Sequence, residues 1–452
     1  MPSIQSDVVI VGAGVTGLTA ASRLTAAGYS VTVLEARDRV GGRTWTDEID
    51  GVTLEIGGQW ISPDQTALLE TVDELGLTIY YRYREGKSVY VDADGLRTEY
   101  TGDIFPVGAA TAAEIERLIA HIDTVVATVD ADKPWEAPNA KALDEISFRA
   151  WLESLSDDPV AVANVALFIA GAMLTKPAHA FSALQALLMA ASAGSFEHLV
   201  DADFILDKRV VGGMQKVSLT LAEQLGDRVH LNAPVRTLRW DEDGVVVTAD
   251  GGLEASARIA LLAVPPTLVS RISFAPPLPR RQQQLHQHLS MGLVIKVHAV
   301  YETPFWREAG LSGTAFSPYL VAHEAYDNTI EGDSRGTLVA FVSDERADEM
   351  FRLTATERRQ RILESLVQYY GPAAANPVVY YESDWASEEW TRGAYATSFD
   401  LGGLARFGDD LRSPVGPVHF ASSDLAGLGY QHVDGAVRMG RRAAEIIGGL
   451  LG

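Results

Sequence analysis

The sequence predicts an α/β fold that opens with a β–α–β unit, and three observations predict it. A β-branched run, DVVIV (7–11), leads straight into G-x-G-x-x-G at Gly12, Gly14 and Gly17. An Ala- and Leu-rich segment then closes at Gly28, and a second β-branched run, SVTVLE, ends on the acid Glu35.

Each element has a local reason. DVVIV suits a parallel strand buried on both faces. The glycines permit a tight turn, a close approach of phosphate to backbone, and close packing of helix on strand. The helix start offers unpaired N–H groups and a partial positive charge to phosphate. Glu35 stands where an acid can accept hydrogen bonds from both adenosine ribose hydroxyls. With strand, helix, second strand and acid in register, the unit reads as a Rossmann-like dinucleotide-binding fold.

The remaining chain is long enough, at 452 residues, for about three ordinary domains or two larger ones. Its hydrophobic share of 47% excludes a disordered chain. The net charge of −23 argues against nucleic acid or an anionic membrane as partner. It favours a cationic ligand, or serves solubility alone. With no cysteine, disulfides, thiolate metal sites, cysteine nucleophiles and thioether links are all excluded. The N-terminus lacks a basic segment before an apolar one and does not read as a signal peptide. The apolar run VAVANVALFIAGAML (160–174) is too short to span a bilayer and reads as a buried helix. The C-terminus shows no membrane anchor, and a soluble cytoplasmic protein is expected.

Further along, RDRVGGRTWT begins at Arg37 and carries Gly41, Gly42 and Arg43, whose guanidinium could grip pyrophosphate bidentately. GVTLEIGGQWISP adds a second Gly-Gly turn, with Gly58 followed by Gln59 and Trp60. KRVVGGMQ, the hairpin around GVVVTAD, the strand ARIALLAVPP and the final GPVHFASSDLAGLGYQHVDGAVRMGRRAAEII complete the pattern. No acid or histidine cluster forms a metal site; His286 and His288 are spaced onto different helix faces. No nucleophile elbow surrounds the serines.

Taken together these motifs resemble the flavin-dependent, monoamine oxidase-like amine oxidase family, and the resemblance covers nearly the whole chain. It implies an FAD-binding domain assembled from 1–80, 206–289 and 391–452, interleaved with an α+β substrate domain from 81–205 and 290–390. It implies cofactor contacts from Gly12, Gly14, Gly17, Glu35, Arg37, Gly42, Arg43, Gly58, Gln59 and Trp60. Val235 then lies near the adenine, and Val433 at the flavin ring. Asp424, in SSD where the family has GTE, lies near the ribityl chain and pyrophosphate. A homodimer is also implied.

Lys296 is the single cation of an apolar strand, LSMGLVIKVHAVY. It must pair, reach solvent or do chemistry, since burying it alone is costly. The pattern alone favours a strand-edge lysine reaching solvent. The resemblance implies a lysine that holds a water against flavin N5 and aids the reaction with O2. Tyr395 matches the first ring of the family's aromatic cage, which can orient an amine by cation–π contacts, and Trp385 packs near the isoalloxazine. For the second ring, His432 and Tyr430 are both candidates. Where some members carry a cysteine bonded to flavin, this chain has Ala394, so FAD is expected to be held without a covalent bond.

Four segments, GGQWISPDQ, MLTKPAHAFSALQ, FILDKRVVGGMQ and EEWTRGAYATSFDLGGL, are similar to one bacterial subgroup of the family, the putrescine oxidases. That resemblance implies oxidative deamination of a primary diamine by O2, releasing NH3 and H2O2. It also implies that Glu324 receives the distal ammonium. By sequence alone Glu324 reads as a loop glutamate, and Asp201, Asp203 and Asp207 are rival acids. Oxidation of another amine, or a flavin dehydrogenase or desaturase, remains an alternative.

Overall fold

The computed structural model describes residues 3–452. The β-branched run lies within the strand Ser3–Val11, and its last four residues are buried. The turn at Gly12–Gly14 passes the chain into the helix Val15–Ala26 and then the strand Val31–Leu34, parallel to the first with Val8 opposite Val31. These strands sit inside an eight-stranded sheet. Its order is Val229–His230, Val31–Leu34, Ser3–Val11, Glu254–Leu262, Val245–Ala249, Val235–Trp240 and Ser273–Ala275, with Val418–Phe420 also pairing Glu254–Leu262. The predicted hairpin is antiparallel, with Leu238 opposite Val247. The last helix, Val433–Leu451, packs on Val15–Ala26 so closely that a Cβ on Gly440 would meet the Thr16 carbonyl oxygen at 2.6 Å.

A second sheet has seven strands, in the order Val379–Glu382, Val294–Tyr301, Gly336–Ser343, Glu324–Asp327, Leu311–Phe316, Lys87–Val91 and Arg97–Tyr100. Every residue of Val294–Tyr301 and of Gly336–Ser343 is buried. Such strands are covered on both faces, which explains their nearly continuous apolar sequences. The helix Ala355–Tyr370, closed at its start by a Thr354–Glu357 capping box, joins the core of this sheet through Ile362, Leu366 and Tyr369.

The 160–174 run is buried but not one uniform helix. An α-helix, Pro159–Ile169, capped by Asp158, gives way to a π-helical turn at Ala170–Leu174. Among the described residues no helix is long and apolar enough to cross a membrane. A short antiparallel sheet, Trp60–Ile61 with Lys208–Val210 and Ile79–Tyr81, ties the second Gly-Gly segment to the chain's middle.

Candidate active site

One large cavity runs from the first sheet to the second. Gly12, Gly14, Glu35, Arg37 and Val235 line one part of it, Gly42, Arg43, Gly58, Gln59, Trp60 and Val433 another, and Lys296, Glu324, Trp385, Ala394, Tyr395 and His432 the rest. The three glycines of the first turn differ in their reasons. Gly12 has φ +104°, and a Cβ there would lie 2.7 Å from the Ala263 carbonyl oxygen. A Cβ at Gly17 would fall 2.0 Å from the Gly12 oxygen, so Gly17 serves helix–strand packing and does not line the cavity. At Gly14 a Cβ would meet nothing within 4 Å, which leaves the helix N-terminus open to an approaching phosphate.

Glu35 is buried at the strand end. One oxygen accepts the Ala13 N–H at 2.7 Å and the other the Arg37 N–H at 2.9 Å, so each keeps a lone pair for a ribose hydroxyl. Arg37 donates to Thr391 Oγ1 at 2.5 Å while its Nε is buried without a partner. Trp60 Nε1 and Gln431 Oε1, both from residues lining the cavity, are likewise buried and unpartnered. Buried polar atoms are ordinarily satisfied, so these fit a polar ligand running along the cavity. A dinucleotide such as FAD fits this set of residues.

Arg43 lines the cavity, and both ends of its fork are anchored by the protein: NH1 donates to Asp424 Oδ1 (3.1 Å) and the Tyr395 carbonyl (3.0 Å), and NH2 to Asp424 Oδ2 (2.5 Å) and Ser423 Oγ (3.0 Å). Asp424 also accepts the Thr397 N–H at 2.6 Å and does not line the main cavity. Burial works to raise its carboxyl, but Arg43 and these hydrogen bonds outweigh that and hold it below the usual range. Asp424 therefore acts on the site through Arg43 and the 395–397 backbone.

Lys296 is not the solvent-reaching residue that the pattern favoured. It lies on an interior strand, is 4% exposed, and donates to the Glu55 carbonyl (2.6 Å), the Gly57 carbonyl (2.8 Å) and Gln59 Oε1 (2.6 Å). Its three acceptors come from the second Gly-Gly segment, so the lysine pins that turn against the second sheet. Burial pushes its pKa down to about 7. Trp385 donates to the Ile56 carbonyl at 3.2 Å and is fixed beside the same turn.

Glu324 begins a strand and is 2% exposed, not a solvated loop residue. It sits opposite Phe341, and Phe341 sits opposite Lys296 on the next strand, so the acid and the lysine share one lateral row. Two strand spacings separate their backbones, about 10 Å. Directly paired residues point to one face, and Lys296, Phe341 and Glu324 all line the cavity. Tyr326, which the sequence reading missed, donates to Glu324 Oε2 at 2.8 Å. No Lys or Arg lies within ion-pair distance of Glu324 among the described residues; His323 Nε2 stands 3.5 Å from Oε1. Tyr395 packs edge-on to Phe341, with centroids 6.0 Å apart.

Between the two candidates for the second ring, His432 lines the cavity and Tyr430 does not: the Tyr430 hydroxyl is turned to the Thr397 carbonyl at 2.7 Å. The rival acids fall outside the cavity. Asp201 Oδ1 caps the turn at Asp203 and Phe204, and Asp207 is paired with Lys208 and Arg84.

The chain matches the model of the flavin containing amine oxidoreductase family over residues 15–448. It is 62% identical to the putrescine oxidase of Kocuria rosea, over 99% of this chain and 96% of that one. Human flavin-containing amine oxidase B is 32% identical over 98% of this chain and 86% of its own length. A solved structure of wild-type putrescine oxidase bound to putrescine superimposes with a TM-score of 0.98 at 66% identity, covering 99% of both chains. Cyclohexylamine oxidase from Brevibacterium oxydans gives 0.94 at 32% identity, again over 99% of both.

Proposed function

Because the chain belongs to the family of flavin-containing amine oxidoreductases, we propose that it is a putrescine oxidase: putrescine, O2 and H2O give 4-aminobutanal, NH3 and H2O2, and the aldehyde can cyclise to 1-pyrroline. The observation that carries the choice of substrate is Glu324, a buried carboxylate lining the cavity without a lysine or arginine partner. A buried charge is costly unless paired, and the distal ammonium of a diamine supplies the missing partner.

When bound, FAD would supply the redox chemistry, hydride acceptance from the amine α-carbon and reaction with O2. Glu324, held at Oε2 by Tyr326, anchors the far end of the diamine and so fixes which carbon is presented. Tyr395 and His432 flank the reacting amine, and the apolar Phe341 between Glu324 and Lys296 keeps the methylene chain dry. Lys296 serves the reaction with O2. Glu35, Arg37 and the Gly12–Gly14 turn hold the adenosine and phosphates, and Ala394 leaves the isoalloxazine without a covalent bond.

The same reading divides the chain into an FAD-binding domain (1–80, 206–289, 391–452) and a substrate domain (81–205, 290–390). In support, every strand of the eight-stranded sheet falls in the first set and every strand of the seven-stranded sheet in the second. The enzyme works as a cytoplasmic homodimer, the first a reading of its sequence and the second of its family resemblance. A panel of putrescine, cadaverine, a longer polyamine and butylamine, read by peroxide release, tests the substrate. Putrescine leads the panel, and a butylamine rate equal to it removes the diamine assignment.

A further inference from the structure

Leading to Lys296 is a chain of polar side chains, of which the proposed reaction uses only the lysine itself. Glu55 accepts Arg209 Nε at 2.9 Å and NH2 at 2.6 Å, and its other oxygen accepts the Met214 N–H at 2.7 Å. The free arm of Arg209, NH1, donates to the Asn328 carbonyl at 2.8 Å. Asn328 Oδ1 accepts Gln59 Nε2 at 2.7 Å, and Gln59 Oε1 accepts Lys296 Nζ at 2.6 Å. All five residues are buried.

A primary amide is directional, with an oxygen that only accepts and a nitrogen that only donates. Because Asn328 offers its oxygen, Gln59 turns its NH2 toward Asn328 and is left with Oε1 facing the ammonium. The opposite orientation would set N–H groups against Lys296. Asn328 is itself clamped at both backbone atoms, its carbonyl by Arg209 and its N–H by the Thr337 carbonyl at 2.7 Å. It follows Asp327 directly, at the end of the strand that begins with Glu324.

We propose that Asn328, clamped by Arg209, is a positioning residue for Lys296: acting through Gln59, it fixes which atom faces the ammonium and so sets the lysine's competence in the oxygen half-reaction. The inference rests on the assignment of Lys296 to that half-reaction. The other charged or titratable groups that bear on Lys296 are Glu55 and Arg209 from neighbouring segments and His298 on its own strand; the Trp60 ring lies 5.7 Å from Nζ.

The test uses the FAD-loaded protein as N328L, N328D, Q59L and the N328L/Q59L double variant, with K296M alongside. Two quantities are read: the rate of reoxidation by O2 after anaerobic reduction with putrescine, and the titration of Lys296 by carbon NMR in protein labelled at lysine Cε. Losing one hydrogen bond to a charged group predicts reoxidation slowed about ten- to 150-fold in N328L and Q59L. Reduction by putrescine stays within about two-fold in N328L, and in both variants the titration midpoint falls as the ammonium loses an acceptor. N328D, which keeps an acceptor oxygen and adds a negative charge, restores reoxidation and raises the midpoint. The double variant is no slower than Q59L.

Equal slowing of both half-reactions in N328L, an unmoved Lys296 midpoint, or multiplying losses in the double variant overturns the inference. If N328L does not hold FAD, Q59L and N328D decide by the same two readouts. K296M separates the two claims. Wild-type reoxidation in K296M removes the lysine's role itself, whereas slow K296M with a wild-type N328L removes only the link through Gln59.

Discussion

Lys296 and Glu324 stand in one lateral row of the seven-stranded sheet with only Phe341 between them. One end of the row is the buried Lys296 amine against the second Gly-Gly turn, the other the buried Glu324 carboxyl group held by Tyr326. The rigid sheet therefore fixes the span between Lys296, to which we assign the reaction with O2, and Glu324, to which we assign the distal ammonium, a span that loops would leave loose.

Glu324→Gln tests the carboxyl end of the row. A hydrogen bond to a charged group is worth roughly 1.5–3 kcal/mol, so kcat/KM for putrescine should fall about ten- to 150-fold. Butylamine, with no distal ammonium, should change little. Steady-state rates on both amines give the answer, and equal losses would remove Glu324 from substrate recognition.

The role we assign to Lys296 predicts a pH dependence of the oxygen half-reaction. Burial favours the neutral amine and brings its pKa to about 7, so the ammonium is present below that pH and lost above it. If the positive charge aids electron transfer to O2, reoxidation slows as pH rises through about 7. Stopped-flow reoxidation across pH 5.5–9, a window of about two units around that value, should show this break. In K296M the break should vanish and the rate drop on the order of 10²-fold, as when one preorganised electrostatic donor is removed.

Asp424→Ala should cost stability more than rate. It leaves the Arg43 guanidinium without its carboxylate and the Thr397 N–H without its acceptor. Breaking one partner of a buried pair costs on the order of 3 kcal/mol. Chemical denaturation should show that loss together with weaker FAD retention, and D424N should lose less because it keeps an acceptor oxygen for Thr397.

Ala394 predicts how the cofactor leaves. Denaturation with acid or heat followed by centrifugation should put the yellow colour in the supernatant. Colour that stays with the protein pellet would contradict a non-covalent FAD.

The nucleotide end was legible in the sequence because its constraints are local. Gly12, Gly14, Gly17 and Glu35 fall within one β–α–β unit, and each residue type has its own steric or hydrogen-bonding reason. The roles at the reacting end were read only through the resemblance. Glu324 read as a loop residue because VAHEAYDNT lacks strand alternation; its strand is covered on both faces, where alternation is not required. Lys296 read as solvent-reaching because its acceptors, at Glu55, Gly57 and Gln59, come from more than 200 positions earlier in the chain. The pairing of Arg43 with Asp424 was not legible, because nothing near Arg43 in sequence announces an acid 381 residues away. Tyr326 and Asn328 lay in the stretch already singled out, but their use depends on register between strands.

The most direct measurement of the central claim is anaerobic mixing of the purified yellow protein with putrescine, followed by the visible absorbance of the flavin. Rapid bleaching, reversed with release of H2O2 when air is admitted, is the predicted result. A flavin that keeps its colour in the presence of putrescine would contradict the account.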